Sequence, residues 1–314
     1  MSSVPLLFWV LFHLLVFGLL ALDLGVLQRT AHAVGKREAL AWTIFLVALS
    51  LAFNAGVYVW MGSQRALEFF TSYVVEYSLS LDNIFVFVLL FRYFSVPTAY
   101  HHRVLFWGII GALIMRGTMI ALGTVLLAKF HWIIYVFGGF LVVTGIRMAG
   151  PRHIEVEPEH NPVLRLVRRL WRVTERYEGQ HFFIRRDGRR LATPLFVVLA
   201  LVETTDLVFA VDSIPAVFAI TRDPFIVYTS NVLAVLGLRS LYFLLAAVIS
   251  SFQYLHVGLG IVLAYVGTKM LLSSVFPIPV GISLAVIVII VSMSMLISWL
   301  KTRAADAEAR SPKG

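Results

Sequence analysis

The chain has 314 residues, of which 60% are hydrophobic and 14% charged, and its mean hydropathy is +0.88. Soluble domains carry about 45–50% apolar and about 25% charged residues, so this composition excludes an ordinary soluble enzyme and a disordered tail. The absence of cysteine removes disulfides, thiolate metal sites and cysteine nucleophiles together.

A membrane-spanning helix needs about 20 mainly apolar residues. Nine stretches qualify in chain order: 4–22, 39–61, 67–90, 104–127, 131–149, 194–219, 225–249, 252–274 and 278–299. They predict an all-α polytopic membrane protein with nine transmembrane helices. The first stretch reads as a helix and not a signal peptide, because Met1-Ser2-Ser3-Val4 has no basic segment and no small-x-small site follows near Leu22. With nine spans, Arg29, Lys36, Arg37, Arg92, Arg103, Arg147, the arginines from Arg152 to Arg190, Lys301, Arg303, Arg310 and Lys313 share one side. Only Arg65, Lys129, Arg222 and Lys269 fall toward the other. The positive-inside bias places the N-terminus outside and the C-terminus in the cytoplasm, and the expected location is the cell inner (cytoplasmic) membrane. It also explains the net charge of +9 without a nucleic-acid partner.

The connection 150–193 is the one sizeable polar piece. Asn161-Pro162 suits an N-cap and first helical position. Val163, Leu166, Val167, Leu170, Val173 or Thr174, and Tyr177 then recur at helical spacing, with Arg165, Arg168, Arg169, Arg172 and Arg176 between them. This pattern predicts a basic amphipathic helix on the inner leaflet, contacting anionic lipid. The run from Phe182 to Arg190 predicts a hairpin turning at Asp187-Gly188.

Two parts of the chain share landmarks. Glu76 with Asp82-Asn83-Ile84-Phe85 corresponds to Glu203 with Asp206-Leu207-Val208-Phe209. Arg116 and Arg239 follow at separations of 34 and 33 from the aspartates. Gly138 and Gly145 correspond to Gly260 and Gly267, seven apart in both cases. Three spans per unit is an odd number, so the expectation is two inverted three-helix repeats, spans 3–5 and 6–8, with spans 1, 2 and 9 accessory. The organisation then reads 1–62 accessory helices, 63–149 first repeat, 150–193 basic loop, 194–276 second repeat, 277–300 last helix and 301–314 tail.

Glu76, Asp82, Glu203, Asp206, Asp212, Arg116 and Arg239 all lie inside apolar stretches. Each such charge costs roughly 2.5–3.5 kcal/mol on insertion scales. Two arginines balance two of five carboxylates, so a cation, protons or both complete the charge. Arg116 and Arg239 are expected to pair with acids or to gate. The oxygen groups available are Asp, Glu, Asn83, Ser80, Thr205, Ser213 and backbone. These hard ligands suit Mg²⁺, Ca²⁺ or Mn²⁺ and disfavour copper or structural zinc. Pro215 is expected to break the sixth span and release the Val211 carbonyl beside Asp212.

Glu76-Tyr-Ser-Leu-Ser-Leu-Asp-Asn-Ile-Phe-Val-Phe87 and the segment Glu203–Ile220 resemble the two signatures of the TerC family. Leu22-Asp23-Leu24-Gly25, Ala31-His32-Ala33-Val34-Gly35 and Thr229-Ser230-Asn231 resemble its Alx branch, and the resemblance covers about residues 20–300. It implies likeness to the LysE transporter superfamily and export of manganese, with tellurite resistance in older family names. By motif position it implies Glu76, Asp82, Asn83, Glu203, Asp206 and Asp212 as metal-site residues, with Asn231 on a neighbouring helix.

Export of a divalent ion opposes a positive-outside potential by about 4.6 kcal/mol per 100 mV, so exchange for protons is expected. The expected function is a transporter and not an enzyme, with Mn²⁺ as cargo, protons as counter-ions and no permanent cofactor. The alternatives are an intramembrane acid–base enzyme using Asp82 and Asp206, a metal- or redox-stress sensor, and a haem protein, for which His13 is the clearly buried histidine. His13 is expected to be a packed, hydrogen-bonded group. Glu68 sits where an outer mouth would attract cations, and His32, His101 and His102 fall on the cytoplasmic side.

Overall fold

Long apolar runs with proline confined to their ends favour helices throughout. The computed structural model describes residues 4–25, 35–130, 132–150, 162–186, 188–246, 255–272, 275–276 and 278–310. In order these form α1 (Leu6–Gly25), α2 (Lys36–Met61), α3 (Ser63–Tyr93), α4 (Thr98–Lys129), α5 (Ile133–Ala149) and α6 (Pro162–Leu170). There follow β1 (Phe183–Arg186), β2 (Arg189–Ala192), α7 (Pro194–Phe218), α8 (Pro224–Leu236), α9 (Leu238–Leu245), α10 (Leu255–Leu271) and α11 (Val280–Arg310). Arg29, His32, Arg152, Asn161 and Asp187 lie outside the described residues, as do the side chains of Asp23, Asp82 and Arg168.

Six helical segments are long and apolar enough to cross a membrane: Arg37–Met61, Ser63–Tyr93, Thr98–Leu127, Pro194–Phe218, Pro224–Leu245 and Val280–Lys301. Shorter apolar helices, Leu6–Leu22, Ile133–Ala149 and His256–Leu271, occupy the other three expected positions. The chain is therefore an integral, multi-pass membrane protein.

Burial separates these helices into two kinds. The apolar windows of α3 and of the α8–α9 pair are 75% and 94% buried, whereas those of α2 and α11 are 11% and 22% buried. α3 touches α2, α7, α8, α9, α10 and α11 and is the hub of the bundle. Polar residues on α3 and α8 are thus sequestered by protein, while α2 and α11 present leucine, isoleucine and valine outward.

α5 packs most extensively against α10, and glycine makes this possible. A Cβ on Gly145 would meet Gly260 O and Ala264 N at 2.5 Å, and one on Gly260 would meet Gly145 O at 2.7 Å. Gly138 and Gly267 face each other in the same way, at 3.0 and 2.6 Å from the opposite carbonyl. The pairing 138 with 267 and 145 with 260 runs the two helices antiparallel. Small residues let backbones approach closely where lipid supplies no hydrophobic drive between helices.

Two local expectations are corrected. The basic helix ends at Leu170 and does not continue to Tyr177. Val173-Thr174 is β-branched and has another use for its amides: Thr174 N donates to Ala192 O at 2.9 Å and Ala192 N to Arg172 O at 3.0 Å. Tyr177 instead donates its hydroxyl to Phe94 O at 2.7 Å, and burial pushes its pKa up to about 12. Pro215 does not break α7, which runs through it to Phe218. The interruption lies in the next span, at Gly237, whose N–H turns back to Ala234 O at 3.1 Å. A Cβ on Gly237 would stand 3.2 Å from the Tyr77 ring, so α3 approaches closely there. The hairpin forms where expected, with β1 and β2 antiparallel and Gly188 at φ +73°.

Candidate functional site

Glu76, Ser80 and Asn83 are spaced i, i+4, i+7 on α3 and share one face. All three are buried, at 0%, 1% and 1% exposed. Opposite them stands Arg116 of α4, itself 1% exposed and one of the largest fully buried side chains. From α7 come Asp206 and Ser213, and from α8 comes Asn231, all buried. Four helices therefore contribute to one polar centre.

Arg116 organises it. Its Nε donates to Asp206 Oδ2 at 3.1 Å and its Nη2 to Asp206 Oδ1 at 3.0 Å, a bidentate pair. Nη1 donates to Glu76 Oε1 and reaches Ser213 Oγ and Asn231 Oδ1, each at 3.4 Å. Asn83 Nδ2 donates to Asp206 Oδ1 at 3.1 Å, which turns its Oδ1 the other way. One guanidinium is thus shared between two carboxylates.

The remaining oxygens of this centre are the informative ones. Glu76 Oε2, Ser80 Oγ and Asn83 Oδ1 are buried and have no hydrogen-bond partner among the described residues. Buried polar atoms are rarely left so, and each would cost about 1–3 kcal/mol. A cavity of about 20 Å³, room for one water-sized species, is lined by Glu76, Ser80, Asn83, Arg116, Asp212 and Ser213 together with Leu79, Met148, Phe209 and Leu263. Glu76, Ser80 and Asn83, which carry the three unpartnered oxygens, all line it, and carboxylate, hydroxyl and amide oxygens are hard donors. Asn231 Nδ2 is likewise without a partner among the described residues, so the centre also offers a donor.

Not every expected residue joins this group. Among the described residues no three His, Asp or Glu side chains come together as a metal-binding cluster. Asp212 lines the cavity from α7 and is half-buried. Glu203 is half-buried as well, with its carboxyl group set against Gly111 of α4. Thr205 donates its hydroxyl to Leu201 O at 2.7 Å. Arg239 is 7% exposed and donates to His102 Nδ1 at 3.2 Å. With Asp206 it lines a second cavity of about 20 Å³, walled by Leu105, Val202, Val235 and Leu238 among others.

Other polar groups lie outside the centre. His13 Nδ1 faces Trp9 O at 2.7 Å and its Nε2 faces the Tyr228 hydroxyl at 3.1 Å, so both ring nitrogens are engaged, as expected of a packed histidine. His101 is similarly occupied by Val96 O and the Tyr242 hydroxyl. Glu68 is not an open mouth carboxylate. It is 8% exposed and accepts from Arg65 at 2.7 Å, Thr221 at 2.6 Å and Gln64 at 3.2 Å. Arg65 also lies 3.7 Å from Asp223, which caps α8 through the amides of Phe225 and Ile226. The Asp223-Pro224 pair is an N-cap signal that points to this junction; its link to Glu68 is purely tertiary.

The fold and this centre define a class: a multi-pass helical membrane protein with a charged, oxygen-rich core between α3, α4, α7 and α8. The family model described as "Integral membrane protein TerC family" matches residues 61–306, and the chain belongs to that family. It is 49% identical over 306 residues to the "Uncharacterized membrane protein STKORF319" of Myxococcus xanthus, covering 97% of this chain and 96% of that protein. It is 46% identical over 286 residues to the "Putative membrane-bound redox modulator Alx" of Escherichia coli K12, covering 88% of each. The protein of the same name from Photorhabdus laumondii is 42% identical over 309 residues, covering 95% of this chain and 96% of that protein. No solved structure matches.

Proposed function

We propose that this protein is an exporter of divalent metal ions, with Mn²⁺ as its cargo. The observation that carries this reading is that Glu76, Ser80 and Asn83, each with a buried oxygen that has no hydrogen-bond partner among the described residues, line one small cavity beside Asp212. A hard divalent cation satisfies such oxygens, and the shared Arg116 leaves one negative charge of the Glu76–Asp206 pair uncompensated. Manganese as the ion rests on the TerC family resemblance; the oxygens alone fit Mg²⁺, Ca²⁺ and Mn²⁺ alike.

In this reading Arg116 is an internal counter-ion that holds Glu76 and Asp206 while no metal is bound. Metal entry competes with the guanidinium for these carboxylates, and proton exchange supplies the work of moving a 2+ ion outward. Glu203 and Asp212, with Asp82, complete the acidic set as the pathway changes access. The facing glycines of α5 and α10 support an inverted repeat: 138 and 145 meet 267 and 260 as a two-fold axis in the membrane plane requires. Nine crossings with the N-terminus outside put the basic connection before β1 in the cytoplasm of the inner membrane.

The test is flux. Purified full-length protein in liposomes, with an imposed proton gradient, should move Mn²⁺ ahead of Mg²⁺, Ca²⁺ and Zn²⁺. Asp206→Ala should abolish this movement, and Ser80→Ala with Asn83→Ala should reduce it while the protein stays folded. Flux that ignores the pH gradient would remove the proton coupling. Absence of any metal flux from folded protein would overturn the transporter reading.

A further inference from the structure

α6 has an apolar face that its packing against the protein leaves unused. Leu164 and Val167 are buried, 2% and 5% exposed, in the cluster that includes Leu195 and Val198 of α7. That contact sets α6 beside the first turns of a membrane-length helix. At about 100° per residue, Leu166 and Leu170 fall on a second face. They are 53% and 58% exposed. Arg165 and Arg169 form an exposed stripe beside them. In an in-plane helix at a membrane surface, this order puts leucines among acyl chains and arginines at the level of the phosphates.

The hairpin supplies a second observation. Its register sets Arg185 opposite Arg190 and Arg186 opposite Arg189, and all four are exposed. Like charges directly opposite across a strand pair are destabilising, and a layer of anionic headgroups relieves that repulsion. The basic edge is also fixed in place. Arg190 lies over the Phe183 ring, 4.7 Å from its centroid, and Phe183 packs on Phe196 of α7 with centroids 4.4 Å apart. A soluble polyanion would meet these arginines but leave Leu166 and Leu170 in water; a membrane engages both.

We propose that α6 and the β1–β2 hairpin form an in-plane docking surface for anionic phospholipid. Leu166 and Leu170 insert, and Arg165, Arg169 and the hairpin arginines bind headgroup phosphates. The proposal is independent of which ion the protein moves.

Because the chain contains no cysteine, Leu170→Cys provides a single labelling site in the full-length protein. An NBD fluorophore there, in phosphatidylcholine vesicles with and without phosphatidylglycerol, should be blue-shifted, quenched by brominated acyl chains and shielded from aqueous iodide. The shielding should deepen with phosphatidylglycerol. Arg165→Gln with Arg169→Gln should cancel that dependence and lower retention of phosphatidylglycerol in native mass spectrometry about thirtyfold, from the usual contribution of two basic residues at an anionic surface. Arg165→Lys with Arg169→Lys should keep it, separating charge from fold. A label equally open to iodide in both vesicles would overturn the proposal. So would retention of phosphatidylcholine and phosphatidylglycerol falling equally in the glutamine pair, or displacement of the lipid by inorganic phosphate alone.

Discussion

Arg116 and Arg239 stand at matching places in the sequence, 34 and 33 residues after an aspartate on a preceding apolar stretch. Their surroundings differ. Arg116 bridges Glu76 and Asp206 and is almost wholly sequestered, at 1% exposed. Arg239 follows the interruption at Gly237, donates to His102 and lines a cavity of mainly apolar walls. Among the described residues, equivalent spacing thus yields a charge centre in one place and a histidine contact in the other. The two arginines also sit differently on their helices: α4 is one continuous helix, whereas the α8–α9 span is interrupted two residues before its arginine.

The largest expected effect separates these two arginines. Arg116→Ala leaves Glu76 and Asp206 buried without their cation, and should cost about 3–5 kcal/mol in stability. Thermal unfolding of the detergent-solubilised protein checks this, and a loss below about 1 kcal/mol would mean that water already screens the centre. The next effect probes what the two regions share. Gly145→Val and Gly260→Val each force a side chain against the opposite backbone and should cost about 1–3 kcal/mol or more, to a similar degree. Markedly unequal losses would argue against a symmetric helix pair. The smallest change is Arg239→Gln, which keeps a donor toward His102 Nδ1 and should cost about 1 kcal/mol. If its loss of stability matched that of Arg116→Ala, the contrast between the two arginines would fail.

The legibility of the site was uneven for identifiable reasons. Glu76, Ser80 and Asn83 could be placed on one face because helical spacing is a local property. The bidentate grip of Arg116 on Asp206 could not, because it joins residues 90 positions apart. The sequence pointed to a break at Pro215, and the chain placed it at Gly237. α7 runs through Pro215 to Phe218, whereas a glycine set against the Tyr77 ring follows a tertiary demand. The basic helix was also drawn too long, since hydrophobic periodicity through Tyr177 does not reveal that the amide of Thr174 and the carbonyl of Arg172 pair with Ala192.

A helical multi-pass membrane protein, charges within its apolar stretches and a supply of hard oxygen groups with no thiols were all legible in the order of residues alone. Those features follow from composition and from periodicities of a few residues. Which charges meet, which carboxylate stands apart against Gly111, and which oxygens have no partner among the described residues depend on how the helices pack. A buried charge takes its partner from whatever packing brings within hydrogen-bond reach, and packing is a property of the whole bundle.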